Sequence, residues 1–320
     1  MDVVINAECA EVPVGSTPLS HQGNYYHHIF SCLLGPIESP PVADLLRRYY
    51  GLEGDWLIAS PIHWQATHND AMIVASAHEL KLSESESVRF FSALAEFVAA
   101  YSIKLHYHDA YTWLLNVDGQ PHITAKPVHA LLHQSLMPEL RTLDSTLFWQ
   151  RLITEIQMFF SAHPFNKERE EKYSINGIWI WGNGKMHEPS AASCKYADSS
   201  VVTAKAGIYS QDGTGVTSAM GSRLRRKDSV FAGRGTRLKR LVCQGDSLFK
   251  LAQPLAMEVS QYSPSVLPSK NSLFLFNDLN PHDLHVFETR CQKLEVRWYW
   301  NNRAYLTQPK SWISRLIKGL

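Results

Sequence analysis

The chain of 320 residues is 45% hydrophobic and 11% aromatic, and it carries a formal net charge of +1 at pH 7. This composition excludes a disordered protein, and the length allows one large domain or two ordinary ones with a substantial core. Because the charge is nearly balanced, it gives no reason to expect nucleic-acid binding.

Three features of the chain indicate its cellular compartment. The five cysteines are widely spaced and include no Cys-x-x-Cys pair, which favours reduced thiols over a disulfide framework. The N-terminal sequence MDVVINAECAEVPVG lacks the basic region of a signal peptide. No apolar run approaches the roughly 18 residues that a membrane-spanning helix needs. We therefore expect a cytoplasmic protein that does not interact with a membrane.

Residues 1–24 are predicted to form a flexible arm. Strand and helix patterns follow it in residues 25–117. The capping box S-x-x-E at Ser83 and Glu86, followed by apolar residues at helical spacing, predicts a helix over residues 84–101. Another helix is predicted over residues 42–50. Apolar runs rich in β-branched and aromatic residues predict strands at residues 26–34, 56–60, 71–77, 103–107 and 111–117.

The second half begins with an amphipathic helix over residues 145–162, which Asp144 or Ser145 caps and which His163-Pro164 ends. Further strands are predicted at residues 175–181, 201–206, 272–276 and 294–300. Further helices are predicted at residues 237–252 and 311–318. Residues 207–235 are rich in glycine, serine and arginine and are predicted to form a loop or linker.

Together these elements predict an α/β fold. Hairpins interrupt the alternation of strands and helices, so a mixed β-sheet covered by helices is expected rather than a purely parallel one. The main domain is expected at residues 25–206. Residues 236–320 form either the C-terminal part of that domain or a small second α/β domain.

Polar residues concentrate at the bend after the helix over residues 145–162 and at the end of the next strand. Glycines after a strand let an anion approach backbone amides, and an arginine can add a bidentate contact. The predicted ligand-binding residues are Asn166, Arg169, Asn176, Gly182, Asn183 and Gly184, and the acid–base candidates are Glu155 and His163. The alternative is that these polar residues are solvated or close the helix and bind nothing.

The pattern E-I-Q-M, H-P-x-N-x-x-R-E and I-N-x-x-W-x-W-G-x-G resembles the proteobacterial regulatory proteins of the RpfE type, which are often labelled cofactor-independent phosphoglycerate mutase-like. The likeness covers about residues 25–185. The matching residues are Glu155, Ile156, Gln157, Met158, His163, Pro164, Asn166, Arg169, Glu170, Ile175, Asn176, Trp179, Trp181, Gly182 and Gly184. One departure is Asn183, where that family usually has a third glycine.

The resemblance implies a regulatory protein and, through the label, a fold remotely like that of alkaline phosphatase and phosphoglycerate mutase. Those enzymes are similar to one another in using a serine nucleophile and two metal ions held by Asp and His. This sequence shows neither a serine in such a setting nor an evident Asp-x-x-x-His set. We therefore expect no cofactor and leave open whether the protein is an enzyme.

Two histidine pairs have the spacing of metal ligands: His106 with His108, and His282 with His285. Together they could form a site of three or four ligands. Residues i and i+2 of a strand share a face, however, so the first pair also fits the solvated face of a hairpin. We favour that interpretation and predict no metal.

The sequence therefore predicts a regulatory or ligand-binding protein with a pocket for a small anionic or phosphorylated ligand. The alternative is a phosphoester hydrolase or phosphoglycerate mutase-like enzyme that acts on a small phosphorylated metabolite. The basic run between Arg223 and Arg240 could contact phosphates, but it lacks interleaved aromatic residues, so a solvated loop is expected. A protein partner remains open.

Overall fold

The computed structural model describes residues 1–20, 23–35, 37–169, 172–186, 240–256 and 258–309. The helices within these ranges are α1 (Tyr25–Leu34), α2 (Val42–Tyr50), α3 (Glu84–Val98), α4 (Val128–Leu131), α5 (Met137–Thr142), α6 (Phe148–Ser161), α7 (Gly245–Ala252) and α8 (Pro281–Cys291). The strands are β1 (Asp2–Ile5), β2 (Ser16–Leu19), β3 (Trp56–Ala66), β4 (Ala71–Ser76), β5 (Leu105–Asp109), β6 (Thr112–Asn116), β7 (Gly177–Trp181), β8 (Arg240–Cys243), β9 (Val259–Gln261), β10 (Ser272–Phe276), β11 (Val296–Tyr299) and β12 (Ala304–Thr307).

These strands form two sheets. The first has the order β2-β12-β11-β1-β10-β8-β9. The five strands β11, β1, β10, β8 and β9 pair in parallel. Strand β12 pairs antiparallel with both β11 and β2. The second is antiparallel, with the order β4-β3-β6-β5 and with β7 paired to β3. The predicted α/β class with a mixed sheet, hairpins and covering helices is thus confirmed, although the strands are divided between two sheets.

Strand β1 lies in the middle of the seven-stranded sheet, between β10 and β11. All of its residues are buried. Val3 and Ile5 face a core that includes α8, while Val4 faces the core that includes the antiparallel sheet, because side chains alternate across a strand. The structure therefore corrects the prediction of a flexible arm over residues 1–24. The apolar run of β1 is short and is followed by acidic and turn residues, so it gave only a weak strand signal.

Helices α3 and α6 confirm the predictions made from capping residues and apolar spacing. Ser83 and Glu86 exchange the two reciprocal hydrogen bonds of a capping box at the start of α3. At the start of α6, the Asp144 carboxylate accepts hydrogen bonds from the backbone N–H groups of Phe148 and Trp149. Helix α3 packs against β5, and α6 packs against β7.

Residues 26–34 belong to helix α1 and not to the predicted strand. The Asn24 side chain caps this helix by accepting a hydrogen bond from the His27 N–H, and Gly35 ends it by donating to the Ser31 carbonyl. One face of α1 packs on β1. The apolar residues of this segment therefore form the buried face of a helix. A nine-residue apolar run alone does not distinguish such a helix from a buried strand.

Residues 240–243 form strand β8, so the helix predicted over residues 237–252 is reduced to α7. Strand β8 lies between β10 and β9, and both pair with it in parallel. Leu241, Val242 and Cys243 are fully buried, which is typical of an inner strand covered on both faces.

All the described residues belong to one compact unit. The predicted strand at residues 201–206, the loop at 207–235 and the helix at 311–318 lie outside them, as does the basic run apart from Arg240. Within the described ranges, no helix is both long enough and apolar enough to cross a membrane.

Candidate functional site

Asn166 and Asn176, two of the predicted ligand-binding residues, bind the protein backbone. The Asn166 side chain donates to the carbonyls of Phe160 (2.8 Å) and Ile175 (2.9 Å) and accepts from the Ile175 N–H (2.8 Å). The Asn176 side chain accepts from the Trp64 N–H (2.8 Å) and donates to its carbonyl (2.7 Å). Both side chains therefore hold the bend between α6 and β7 in place.

Arg169 ends the 3₁₀ turn Pro164–Arg169 and is only 3% exposed. Its Nη1 donates to Glu86 Oε1 at 2.7 Å, its Nε to the Tyr173 carbonyl at 3.1 Å, and its Nη2 to the Leu80 carbonyl. The sequence-based role of Arg169 as an anion ligand required a guanidinium without a carboxylate partner. The structure supplies that partner and so corrects the assignment.

The ion pair with Arg169 affects the pKa of Glu86. Burial acts to raise the pKa of Glu86, but hydrogen bonds from Ser83 and the charge of Arg169 outweigh it and lower the pKa to about 2. Lys172 also lies near this carboxylate, at 3.3 Å. The Glu86 carboxylate thus stays ionised and keeps the Arg169 charge compensated.

Glu155 and His163, the acid–base candidates, do not share a site. Glu155 is exposed on α6 and accepts a hydrogen bond from the Tyr101 hydroxyl. The His163 ring lies among aromatic rings, with centroids 4.4 Å from Phe165 and 5.3 Å from Phe159. Burial, and then the charge of Arg89, lower the pKa of His163. A cavity lies at the end of β7, and neither side chain lines it.

That cavity has a volume of about 240 Å³ and begins directly after β7. Of the predicted ligand-binding residues, Asn183 and Gly184 line it. The lining residues are Asp44, Arg47, Asp55, Trp56, Leu57, Val117, Gln120, Pro121, His122, Ile123, Asn183, Gly184 and Lys185. They come from α2, from the start of β3, from the segment after β6 and from the segment after β7, so the cavity is formed where four parts of the chain meet.

The segment after β7 is held firmly against its neighbours. The Asn183 amide donates to the Ile123 carbonyl at 2.7 Å and accepts from Ser39 Oγ at 3.3 Å. A Cβ at Gly184 would lie 3.1 Å from Pro41 Cβ, so the backbone approaches that proline as closely as a glycine permits. The cavity wall is therefore largely preformed.

Gly182 connects β7 to this segment with φ +87°, and a Cβ there would lie 3.1 Å from Ile58 Cγ1. We expect Gly182→Ala to lower the free energy of unfolding by about 2–3 kcal/mol, since backbone strain and crowding add. Gly119→Ala is the matched control, because its φ is +77° but no heavy atom lies within 4 Å of the added Cβ. Urea unfolding of both variants measures the difference, and equal losses would show that Ile58 accommodates the methyl group.

Two ion pairs line the cavity. Arg47 donates through Nε (2.9 Å) and Nη2 (2.8 Å) to Asp44 Oδ1 and through Nη1 (3.0 Å) to the Leu52 carbonyl. Lys185 Nζ lies 2.6 Å from Asp55 Oδ1, and both of these side chains are mostly exposed. The Arg47 pair is the more buried, with side-chain exposures of 28% for the arginine and 9% for the aspartate.

Asp44 has most of its acceptor capacity occupied. Besides Arg47, its carboxylate accepts from Arg48 Nε at 3.2 Å and from the Met186 backbone N–H at 2.9 Å. Burial acts to raise the pKa of Asp44, but the Met186 N–H and the two arginines lower it below its ordinary value. The sequence-based prediction missed Asp44 and Arg47 as cavity residues. The only signal was the spacing Asp-x-x-Arg-Arg on a predicted helix, which is also common on solvated helix surfaces.

The histidine pairs considered as metal ligands lie on different elements. His106 and His108 are on β5, and both ring nitrogens of His108 are hydrogen-bonded to tyrosine hydroxyls. His282 and His285 are on α8. In the part of the chain that the structure describes, no group of three or more His, Cys, Asp or Glu side chains could hold a metal ion.

The chain matches no protein-family profile. No curated protein sequence matches it either. A solved structure of a cofactor-independent phosphoglycerate mutase from Thermoplasma acidophilum DSM 1728 is similar with a TM-score of 0.34 and 11% identity, over 95% of this chain and 88% of that chain. At this TM-score the likeness supports no inference about activity or substrate.

Proposed function

We propose that this protein binds a small anionic ligand in the cavity at the carboxyl end of β7. The observation that carries the proposal is the partly buried guanidinium of Arg47, because the protein does not use all of its N–H donors. Arg47 has five N–H donors and uses three of them on Asp44 and Leu52. Among the described residues, its remaining donors have no partner.

Lys185 is a second cationic side chain in the same cavity wall. One of its ammonium protons contacts Asp55, and an ammonium group carries three. The Asp44 carboxylate already accepts from two arginines and a backbone N–H, so it competes little for a ligand. A phosphate or carboxylate group supplies the acceptors that these donors lack. The apolar lining of Leu57, Val117 and Ile123 accommodates a short carbon skeleton.

More specifically, we propose that the protein is a regulatory protein of the RpfE type. Two of the residues that carry that resemblance, Trp179 and Trp181, fix the strand β7, which the cavity wall follows in the chain. Trp179 Nε1 donates to the Lys126 carbonyl (2.9 Å) and Trp181 Nε1 to Ser60 Oγ (3.0 Å), so β7 is fixed to two neighbouring segments. A rigid frame with a small polar cavity is suited to sensing a metabolite, with binding itself as the signal.

Binding is tested with inorganic phosphate and 3-phosphoglycerate as probes. A probe at 100 times its Kd should raise the free energy of unfolding by about 2.7 kcal/mol, which a thermal-shift assay detects. Lys185→Gln should weaken binding about tenfold, because a charge-assisted hydrogen bond contributes about 1.5 kcal/mol or more. The free protein should be as stable as before, since Lys185 is 72% exposed.

Lys167→Gln is the control, since this lysine is also exposed but does not line the cavity. If neither probe binds, or if both lysine variants bind equally well, the cavity is not an anion site. Conversion of 3-phosphoglycerate, to another phosphoglycerate or to free phosphate, would instead favour the alternative of a phosphoglycerate mutase-like enzyme or a phosphoester hydrolase.

A further inference from the structure

A second cavity lies on the side of the seven-stranded sheet that α8 covers. Its volume is about 170 Å³, and a cavity of about 150 Å³ is large enough to hold benzene. Its lining includes Cys291, Val296 and Trp298, which are nearly fully buried, so its inner part is apolar. It shares no lining residue with the cavity at the end of β7. The second cavity is therefore a separate feature, with room for one large apolar side chain.

Exposed apolar side chains border the mouth of this cavity. Val14, which lines it, is 65% exposed. On α8, Val286 is 45% exposed and lies three residues before the lining residue Thr289, so both are on one face of the helix. The wall also carries the Glu288 carboxylate, which accepts from the Val14 N–H at 3.1 Å, and the described lining residues include no lysine or arginine. The mouth is thus suited to an apolar segment that carries positive charge.

The chain itself leaves β12 at this mouth. Thr307, the last residue of β12, pairs with Val296 of β11, and both line the cavity together with Gln308. Trp298 Nε1–H donates to Thr307 Oγ1 at 2.9 Å, which fixes the end of β12 to the cavity wall. The residues that follow Gln308 in the sequence therefore start from the wall of the cavity.

The sequence that follows is K-S-W-I-S-R-L-I-K-G-L, residues 310–320, which lie outside the described ranges. Its large apolar residues have the spacing of one helical face and are Trp312, Ile313, Leu316, Ile317 and Leu320. Its charged residues are all basic and are Lys310, Arg315 and Lys318. Trp312 follows Gln308 by four residues, which can span up to about 14 Å. The segment thus has the reach, the apolar side chains and the charge that suit the mouth of the cavity.

We propose that this cavity is the docking site of residues 310–320 of the same chain, which bind with their apolar side chains towards it. Attachment at Gln308 gives the segment a high effective concentration at the cavity, so docking within one chain is favoured over capture of a separate partner. Docking removes the exposed surfaces of Val14 and Val286 from water, which stabilises the docked state. The basic residues of the segment complement the Glu288 carboxylate.

Leu316→Asp tests the docking in the intact chain, because it places a charge on the apolar face of the segment. Ser314→Asp is the matched control, since residues two apart lie about 200° apart around a helix and the same charge then falls on the opposite face. The NMR signal of Trp298 Nε1–H, in the cavity wall, should shift in Leu316→Asp and stay unchanged in Ser314→Asp. The same signal in the wild type and both variants, or an equal shift in both variants, would overturn the proposal.

Thr289→Arg blocks the docking from the cavity side. Thr289 is exposed on α8, so this variant should fold, while its added charge repels the basic segment. Leu316→Asp should lower the midpoint of urea unfolding in the wild-type background but not in Thr289→Arg, because the contacts that it removes are already lost there. Additive losses, or no loss in the wild-type background, would contradict the docking.

Two other occupants would give different results. With a second copy of the chain, the Trp298 signal would depend on protein concentration, and sedimentation would show a dimer. Basic amphipathic segments also bind anionic membrane surfaces. In that case vesicles of phosphatidylserine and phosphatidylcholine would bind the wild type, while without vesicles the Trp298 signal would be the same in the wild type and in Leu316→Asp. Either result would overturn docking within one chain.

Discussion

Val4→Asp is expected to lower the free energy of unfolding by more than about 4 kcal/mol and to leave the protein largely unfolded at 37 °C. Val4 is fully buried in the central strand of the seven-stranded sheet. A carboxylate there has no water, and its burial costs several kcal/mol whether it stays ionised or takes up a proton. Domains of this kind have a free energy of unfolding of about 5–15 kcal/mol, so the expected loss is close to the whole of that free energy.

The matched control is Val12→Asp, which makes the same chemical change eight positions later, where the side chain is 45% exposed. That variant should differ from the wild type by less than about 0.5 kcal/mol. Circular dichroism during urea unfolding measures the stability of both variants. Val4→Ala, with an expected loss of about 2 kcal/mol, is a third variant at the same position that stays folded. If Val4→Asp were as stable as Val12→Asp, residues 2–5 would not form the central strand.

Arg169→Ala is expected to lower the free energy of unfolding by about 3–5 kcal/mol. The Arg169 side chain is buried, and its removal takes from Glu86 its buried cationic partner, while the Leu80 and Tyr173 carbonyls lose their donors as well. The pKa of Glu86, now about 2, should rise, because Arg169 helps to lower it. Chemical denaturation gives the loss, and an NMR titration of the Glu86 carboxyl gives the pKa.

Arg89→Ala is the comparison for Arg169→Ala. Arg89 also pairs with a glutamate, Glu168, but both side chains are substantially exposed. Its guanidinium lies 3.8 Å from the centre of the Phe165 ring, but solvent screens the exposed pair, so the loss should be much smaller than that of Arg169→Ala. If Arg169→Ala instead kept full stability and lost phosphate binding, Arg169 would be a ligand-binding residue after all.

These two predictions concern residues for which reasoning from the sequence gave a different role. The sequence predicts that Arg169 faces a ligand, because its charge lies near asparagines and before glycines. Its partner Glu86 lies 83 positions earlier in the chain and serves at the same time as the capping residue of α3. Glu86 was recognised as a cap, but nothing local to either residue reveals that they meet.

The cavity shows the same division between local and distant information. The glycines after β7 were predicted to approach a ligand, and Asn183 and Gly184 do line a cavity. The cationic side chains beside them, however, are Arg47 from α2 and Lys185, not Arg169. The position of Arg47 depends on Asp44, which contacts the segment after β7 across 142 positions of sequence.

What the sequence by itself determined is the set of elements whose signals are local. The capping box at Ser83 and the apolar spacing of α3 and α6 depend on residues three or four apart, and helical hydrogen bonds span the same distance. Strand β7 and the hairpin strands β5 and β6 were likewise predicted from runs of adjacent residues. The mixed α/β class followed from the order of these elements.

Only the tertiary structure decided which buried segments are strands in the seven-stranded sheet and which polar groups pair. Strand β1 pairs with β10 and β11, which lie about 270 and 295 positions later in the chain, and the stability of a parallel strand comes from such distant neighbours and from burial on both faces. Pairing of Arg169 with Glu86, and of Asp44 with the segment after β7, likewise follows from packing. The physical reason is that these contacts form only after distant segments are brought together, so no window of adjacent residues contains them.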